Sequence, residues 1–514
     1  MRTAVLVYAG SISERALAPL AGGKSAFDRV LDFARSIPDL QGTIVLEGAV
    51  DLPDRGVPRH RRPAWTDLGI LDEALGFCSS LAEPPEALLF VRADEPLLDP
   101  ALALRMIENY RKYRAEYSFA DGYPLGLGVE IVHPRILPAL RALAERSPLI
   151  PERGWLFAVI QRDINAFDIE TEISPRDLRD RRICLSCDTK RNSLLVERLI
   201  EAGVKDAPSA LEIIPARPEL LRTLPAFVGI QVSGGCPQAC ALCPWPRVGG
   251  DILARRDFFP AKRFDALMGG LADYAGDALV DLSLWGEPSF HPDFPSLVSS
   301  VLSRPGLSLI VETSGIGWAP GILESIASSH QDSIDWIVSL DAATPETYAR
   351  LRGEGWSEAL GTVERLFGLW PGRVHPQLLR SKENEEELEA FWRGWKKRSD
   401  NVIVQKYSRF AGLLPELKVA DLSPLARKPC WHLMRDISIL IDGSVPPCRE
   451  ILEGGDGFGN VFEGLPPDSV GQSAFFSSAF ERIWKSGEAW HAKHVASTYP
   501  EPCKICDEFY TFNA

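Results

Sequence analysis

The sequence predicts an α/β protein whose middle part winds into a partial barrel of parallel strands. From Phe227 onward, six short apolar runs, "FVGIQVS", "ALVDLSLW", "LSLIVETS", "DWIVSLD", "RVHPQLL" and "NVIVQKYS", alternate with helix-like segments such as "AKRFDALMGGLADYA" and "SEALGTVERLFGLW". Strands that alternate with amphipathic helices pair in parallel through helical crossovers. Six such units are too few for a closed eight-stranded barrel, so the sheet should stay open. Cys236, Cys240 and Cys243 follow the first run directly. That is the C-terminal strand end, where parallel barrels carry their chemistry.

The chain has 514 residues, 45% hydrophobic and 25% charged, which fits about three globular domains. A net charge of −14 with no Lys/Arg cluster excludes a nucleic-acid backbone as partner. No apolar run approaches the roughly 18–20 residues that span a bilayer, so no membrane partner is expected. The opening "MRTAVLVYAG" is too quickly broken for a secretory signal and reads as a first buried strand. Ten cysteines without an export signal point to metal or catalytic thiols rather than a disulfide framework, and to the cytoplasm.

Two Pro-containing stretches, "PARPELLRTLP" and "LPELKVADLSPLARKP", read as linkers and divide the chain into parts 1–215, 216–415 and 416–514. In the first part, Cys78 stands alone and the pair Cys184 and Cys187 in "CLSC" is expected to be two buried thiols. The middle part holds the trio. The last part holds Cys430, Cys448, Cys503 and Cys506.

The trio is spaced C-x3-C-x2-C, and no further Cys or His follows before His291. Structural zinc usually takes four ligands, often in CxxC pairs. Three thiolates can instead hold three irons of a 4Fe–4S cluster and leave the fourth iron open to an outside ligand. Spacing alone leaves zinc, cluster and chance open. The ends of the next three runs then add polar groups in order. These are Gly286-Glu287-Pro288 in "LWGEPSFHPDF", Glu312 in "VETSG", and Ser339, Asp341 and Arg352 in "VSLDAATPETYARLRG". A strand-end carbonyl beside a carboxylate suits an ammonium. Taken singly, "GEP" is also a simple turn, and Glu312 a buried, paired acid.

Together these stretches resemble the radical S-adenosylmethionine (SAM) superfamily, whose CxxxCxxC signature follows the first strand of a partial (βα)6 barrel. The resemblance implies a 4Fe–4S cluster on Cys236, Cys240 and Cys243 as the catalytic centre, with SAM chelating the open iron. It implies that Gly286, Glu287 and Pro288 receive the methionine ammonium, Trp285 replacing the motif's first glycine. Glu312, Ser339, Asp341 and Arg352 become SAM contacts, Ser339 to the ribose. Leu242 stands where many members carry an aromatic residue, and its apolar side chain can still cover the adenine. Reductive cleavage of SAM would give a 5′-deoxyadenosyl radical that takes a substrate hydrogen, fed by a flavodoxin- or ferredoxin-type electron donor.

The last part resembles the SPASM/twitch extension of that superfamily. The likeness runs through Cys430, Cys448, Cys503 and Cys506, the turn "DGSVPPC", the step Gly459-Asn460 and the segment Trp484-Lys485-Ser486. It implies an auxiliary 4Fe–4S cluster on the four cysteines; the bare alternative is zinc. His432, His491 and His494 are expected to be packed or surface residues. In the first part, "LLFVRADEPLLDPALALRMIENYRK" resembles the "VQGDEPLI" stretch of CMP-sugar synthetases, nucleotidyltransferases with a GT-A-like α/β fold. That likeness puts a divalent cation at Asp94 and a nucleotide loop between Gly10 and Lys24. The loop lacks the second glycine that lets backbone N–H groups approach phosphates, so no nucleotidyl transfer is expected.

The three-part order resembles the spiro-SPASM proteins of spirochaetes. It implies a radical SAM enzyme acting on a peptide, a protein or a small polar metabolite. The alternative enzyme modifies a sugar nucleotide delivered by the first part. The alternative without redox chemistry is a zinc-stabilised binding protein.

Overall fold

The computed structural model describes residues 1–452, 457–466 and 469–510, and the chain divides into two compact units, Met1–Thr223 and Leu224–Ala514. The first unit is built on β1 (Thr3–Ala9), β2 (Leu40–Glu47), β3 (Arg59–Arg61), β4 (Ala87–Arg92), β5 (Tyr117–Asp121), β6 (Glu130–Val132) and β7 (Ile169–Ile173). Their order in the sheet is β3-β2-β1-β4-β6-β5-β7. The opening run is a buried strand, as its pattern predicts. Continuous apolar stretches such as "TAVLVYA" and "ALLFVR" suit parallel strands covered on both faces, and β1 pairs in parallel with both β2 and β4. β6 runs antiparallel to β4 and β5, which makes the sheet mixed. Helices cover it, the first held by Ser25, whose hydroxyl accepts from the Asp28 N–H at 3.1 Å. Leu6, Leu88, Tyr117, Leu140 and Leu156 belong to its core.

In the second unit all six predicted runs become strands. They are β8 (Phe227–Ile230), β9 (Ala278–Asp281), β10 (Leu307–Thr313), β11 (Ile334–Ser339), β12 (Val374–Arg380) and β13 (Ile403–Lys406). They lie side by side in sequence order, every neighbouring pair parallel, and the sheet curls into an open half-barrel. A seventh strand, β14 (Asp436–Ile439), comes from the cysteine-bearing tail and pairs in parallel with β8. The tail therefore completes the sheet as well as following it. Beyond β14 it forms a short antiparallel hairpin of β15 (Ser444–Val445) and β16 (Gly459–Asn460), then the helix Ser473–Ser486. That helix crosses Ala261–Ala275 at Gly269 and Gly270; a Cβ on Gly270 would lie 2.4 Å from the Phe476 Cβ. Trp336, Trp370, Tyr348, Phe264 and Phe294 fill the core between sheet and helices. No helix among the described residues is long and apolar enough to cross a membrane.

Candidate functional site

The cysteine trio sits in a wound loop directly after β8, pinned by backbone hydrogen bonds on both flanks. The Cys236 N–H donates to the Ile252 carbonyl (3.0 Å), the Ala241 N–H to Leu351 (2.8 Å), and the Cys243 N–H turns back to Cys240 (3.2 Å). Burial pushes all three thiols up, Cys243 to about 12, and Cys236 feels both of the other sulfurs. Ligation to a metal centre would release those protons. Leu242, Trp245, Ile252, Trp285, Phe410 and Leu414 form an apolar cluster against which Cys236 and Cys243 pack. Leu242 thus stays an apolar neighbour of the thiols. Trp285 meets Phe410 edge-on at 5.4 Å, and its indole N–H has no partner among the described residues.

The "GEP" turn is built onto this loop. Gly286 has φ +82°, and a Cβ there would lie 2.0 Å from the Ser233 carbonyl oxygen, so only glycine fits. The Glu287 N–H donates to Gly235 at 2.8 Å, and Pro288 opens the buried turn Pro288–Phe290. The Glu287 carboxylate accepts from the Thr313 hydroxyl (2.5 Å), the Ser314 N–H (2.8 Å) and the Ser289 N–H (3.4 Å). Both of its oxygens are engaged by the protein, and a carboxylate has acceptor capacity beyond these three bonds. Glu287 ties the end of β10 to the cysteine loop.

On the other side, Arg352 bonds Asp341 at 2.5 Å and the Gln238 side-chain oxygen at 3.3 Å. Gln238 lies between Cys236 and Cys240 and in turn donates to the Tyr348 hydroxyl (3.1 Å) and the Glu354 carbonyl (2.8 Å). Asp341 adopts φ +60°, a conformation uncommon outside glycine and concentrated at functional positions. Deeper in the half-barrel, Glu312 accepts from Ser339 (2.8 Å) and from Gln377 (2.7 Å). Burial pushes the Asp281 carboxyl up to about 7; Glu312 adds to this and Arg449 opposes it. Asp281, Gln377 and Gln238 went unnoticed in the sequence, although two end or line a strand and the third lies inside the trio. Arg449 was hidden by its place in the tail.

The four tail cysteines line one recess, together with His432, Glu450, Arg427 and His494. Burial raises each thiol, Cys430 to about 12 and Cys503 to about 11. The Glu508 N–H donates to the Cys506 sulfur at 3.4 Å. His432 is buried and pairs with Asp436 at 2.6 Å. His494 is 1% exposed, and neither ring nitrogen has a partner among the described residues. His494 is packed, as expected, edge-on to Tyr499 at 5.0 Å, in the wall of the recess that the four thiols also line.

No three Cys, His, Asp or Glu side chains among the described residues are drawn together as a closed metal site. Their donor sets still discriminate. The trio fits a centre that takes three protein ligands and keeps one position for another molecule. The tail set fits a centre held entirely by protein, whether one zinc or one 4Fe–4S cluster.

In the first unit, Asp94 is 2% exposed and accepts from Arg153 at 2.8 Å. Its other oxygen has no hydrogen-bond partner among the described residues, with the Arg92 guanidinium 3.8 Å away. Between Gly10 and Lys24 several N–H groups donate to nearby carbonyls: Ile12 to Ala9, Ala16 to Ser13, Ala18 to Arg15, Leu20 to Lys24, and Gly23 to Leu20. Lys24 pairs with Asp32 at 2.6 Å. Cys187 is buried beneath the Asp94 turn, its N–H donating to the Asp94 carbonyl at 2.8 Å. Cys184 lies 3.3 Å from the Ser186 hydroxyl. Both are free thiols, as is Cys78.

No family model matches the chain. An uncharacterized protein of Treponema pallidum (strain Nichols) is 34% identical over 375 residues, covering 70% of this chain and 99% of that protein. A second uncharacterized protein of the same organism is 43% identical over 67 residues, 13% of this chain and 31% of its own length. Among solved structures, a cytidylyltransferase from Leptospira borgpetersenii is 18% identical and covers 43% of this chain and 96% of its own, with a TM-score of 0.36. Streptococcus suis SuiB bound to S-adenosylmethionine is 15% identical, covering 61% and 80%, with a TM-score of 0.37. The enzyme anSMEcpe with bound AdoMet is 12% identical, covering 56% and 87%, with a TM-score of 0.39.

Proposed function

The chain belongs to the same family as the Treponema pallidum protein that it matches over nearly that protein's whole length, and we propose that it is a radical SAM enzyme. One observation carries the proposal: Cys236, Cys240 and Cys243 share the C-terminal mouth of a parallel half-barrel with the Gly286–Pro288 turn and the Arg352–Asp341 pair. When bound, a 4Fe–4S cluster and SAM supply the electron transfer and sulfonium cleavage that give a 5′-deoxyadenosyl radical.

The protein's part is to hold, orient and keep dry. Cys236, Cys240 and Cys243 would hold the cluster by their thiolates, three protein ligands that would leave a position open to SAM. The turn that Gly286 alone can make keeps strand-end backbone beside them. Arg352, tied to Gln238, fixes the far side of the loop, and Ser339 lies deeper toward the ribose position. Leu242, Trp285 and Phe410 exclude water from this mouth. Asp281, Glu312, Gln377 and Arg449 make the half-barrel interior polar, which supports a peptide, a protein side chain or a small polar metabolite as substrate. The four tail cysteines hold an auxiliary 4Fe–4S cluster, and a flavodoxin- or ferredoxin-type protein delivers the electron.

Anaerobically reconstituted full-length protein should hold about eight irons and form 5′-deoxyadenosine from SAM with a chemical reductant. Combining Cys236→Ala, Cys240→Ala and Cys243→Ala should halve the iron and abolish that product. Stoichiometric zinc with no 5′-deoxyadenosine would overturn the reading in favour of a zinc-stabilised binding protein.

A further inference from the structure

The first unit contains a cavity of about 300 Å³, at the small end of the range for small-molecule sites. Seven aromatic side chains line it, among them Tyr8, Phe90, Tyr117, Phe119, Trp155 and Phe157. They are anchored on one another. Tyr117 stacks on Phe119 and Phe157 at 5.7 and 6.0 Å, and Phe90 meets Trp155 edge-on at 6.2 Å.

Glu130 lies in the same wall, opposite Phe90 in the β4–β6 ladder. Its carboxylate accepts from the Tyr117 hydroxyl at 2.5 Å and makes no ion pair among the described residues; the Arg92 charge acts on it only at a distance. Glu130 is half-buried, and a carboxylate without an ion-pair partner in a cavity wall offers an acceptor to an entering cation. Arg153 pairs with Asp94, Glu95 and Asp188. Arg92 donates to the Ser11 hydroxyl and the Pro151 carbonyl, lies 3.8 Å from Asp94, and already covers the Tyr8 ring at 5.1 Å, which leaves the other rings for a ligand. The wall carries Glu95, Glu130 and Glu152 against Arg92 and Arg153, and Asp94 and Asp188 stand behind the arginines. A triphosphate or a sugar acid would meet three carboxyl groups, and guanidiniums that already have carboxylate neighbours.

We infer that this cavity binds an organic ammonium on a small apolar stem. The faces of aromatic rings attract a cation, and Glu130 provides the charge-assisted hydrogen bond at their edge. The ammonium comes either from a free amine or from a lysine side chain of a peptide.

The test uses full-length protein, calorimetry and four probes: phenethylamine, N-acetyl-lysine methylamide, 2-phenylethanol and phenylacetate. At least one amine should bind tighter than both the alcohol and the acid by about tenfold or more. Tighter binding of phenethylamine assigns the site to a free amine, and tighter binding of the lysine derivative to a peptide side chain. Glu130→Gln retains an acceptor for Tyr117 and should erase the preference for amine over alcohol. Should that variant not fold, Phe157→Leu provides the second measurement and should weaken the amine more than the alcohol. Equal binding of all four probes, preference for phenylacetate, or no amine binding at millimolar concentration would overturn the assignment.

Discussion

His494 has two ring nitrogens, both without a hydrogen-bond partner among the described residues, and it lines the recess of the four tail thiols. A buried donor left unpaired is unfavourable by about 1–3 kcal/mol. A bound cluster's sulfur would relieve that, and hydrogen bonds to sulfur help set a cluster's potential. We therefore expect His494→Phe to keep the iron of the tail centre while making its midpoint potential more negative, read by redox titration under EPR. An unchanged potential would reduce His494 to packing against Tyr499. The sequence could not reveal this role, because two of the three tail histidines lie on one short helix and nothing in their spacing says which ring turns toward the cysteines. Glu287 shows the converse. Its place in "GEP" was legible, but its three acceptor bonds depend on where β10 ends, which only the folded sheet fixes.

At the scale of elements, the six parallel strands were legible because each is a short apolar run with a helix pattern between it and the next. β14 was not. "DISILI" lies among tail cysteines and turns, and a lone four-residue strand carries no sign of its partner. Pairing β14 with β8 brings the tail chain beside the first strand of the half-barrel, so Arg449 from the tail acts on Asp281 of β9. The turn at Gly286 is the tightest join in this arrangement. Gly286→Ala would set a Cβ against the Ser233 oxygen and strain a φ of +82°, shifting the loop that carries the trio. Displacements of about an ångström commonly lower catalysis by roughly 100-fold. We expect 5′-deoxyadenosine formation to fall by about that factor, with the tail centre's iron retained. A wild-type rate would show that the turn does not position the loop.

At the scale of the whole molecule, each compact unit has its own buried core, one around β1, β4 and Tyr117 and one around the half-barrel and tail. Such units fold on their own when their cores are complete. The trio and the four tail cysteines all lie after residue 224, in the second unit. In the first unit, the N–H groups of Ile12, Ala16, Ala18, Leu20 and Gly23 in the loop from Gly10 to Lys24 bond to nearby carbonyls, and Arg153 holds the Asp94 carboxylate. A triphosphate would find those amides already engaged and a carboxylate held by a guanidinium. This predicts a division of labour that one pair of assays can check. A chain of residues 224–514 should keep its iron and still form 5′-deoxyadenosine from SAM, while losing activity on the true substrate. The full-length protein should release no pyrophosphate from CTP with any common sugar acid. Pyrophosphate release that disappears in Asp94→Ala would instead make the first unit a working nucleotidyltransferase and favour a sugar nucleotide as the substrate of the second.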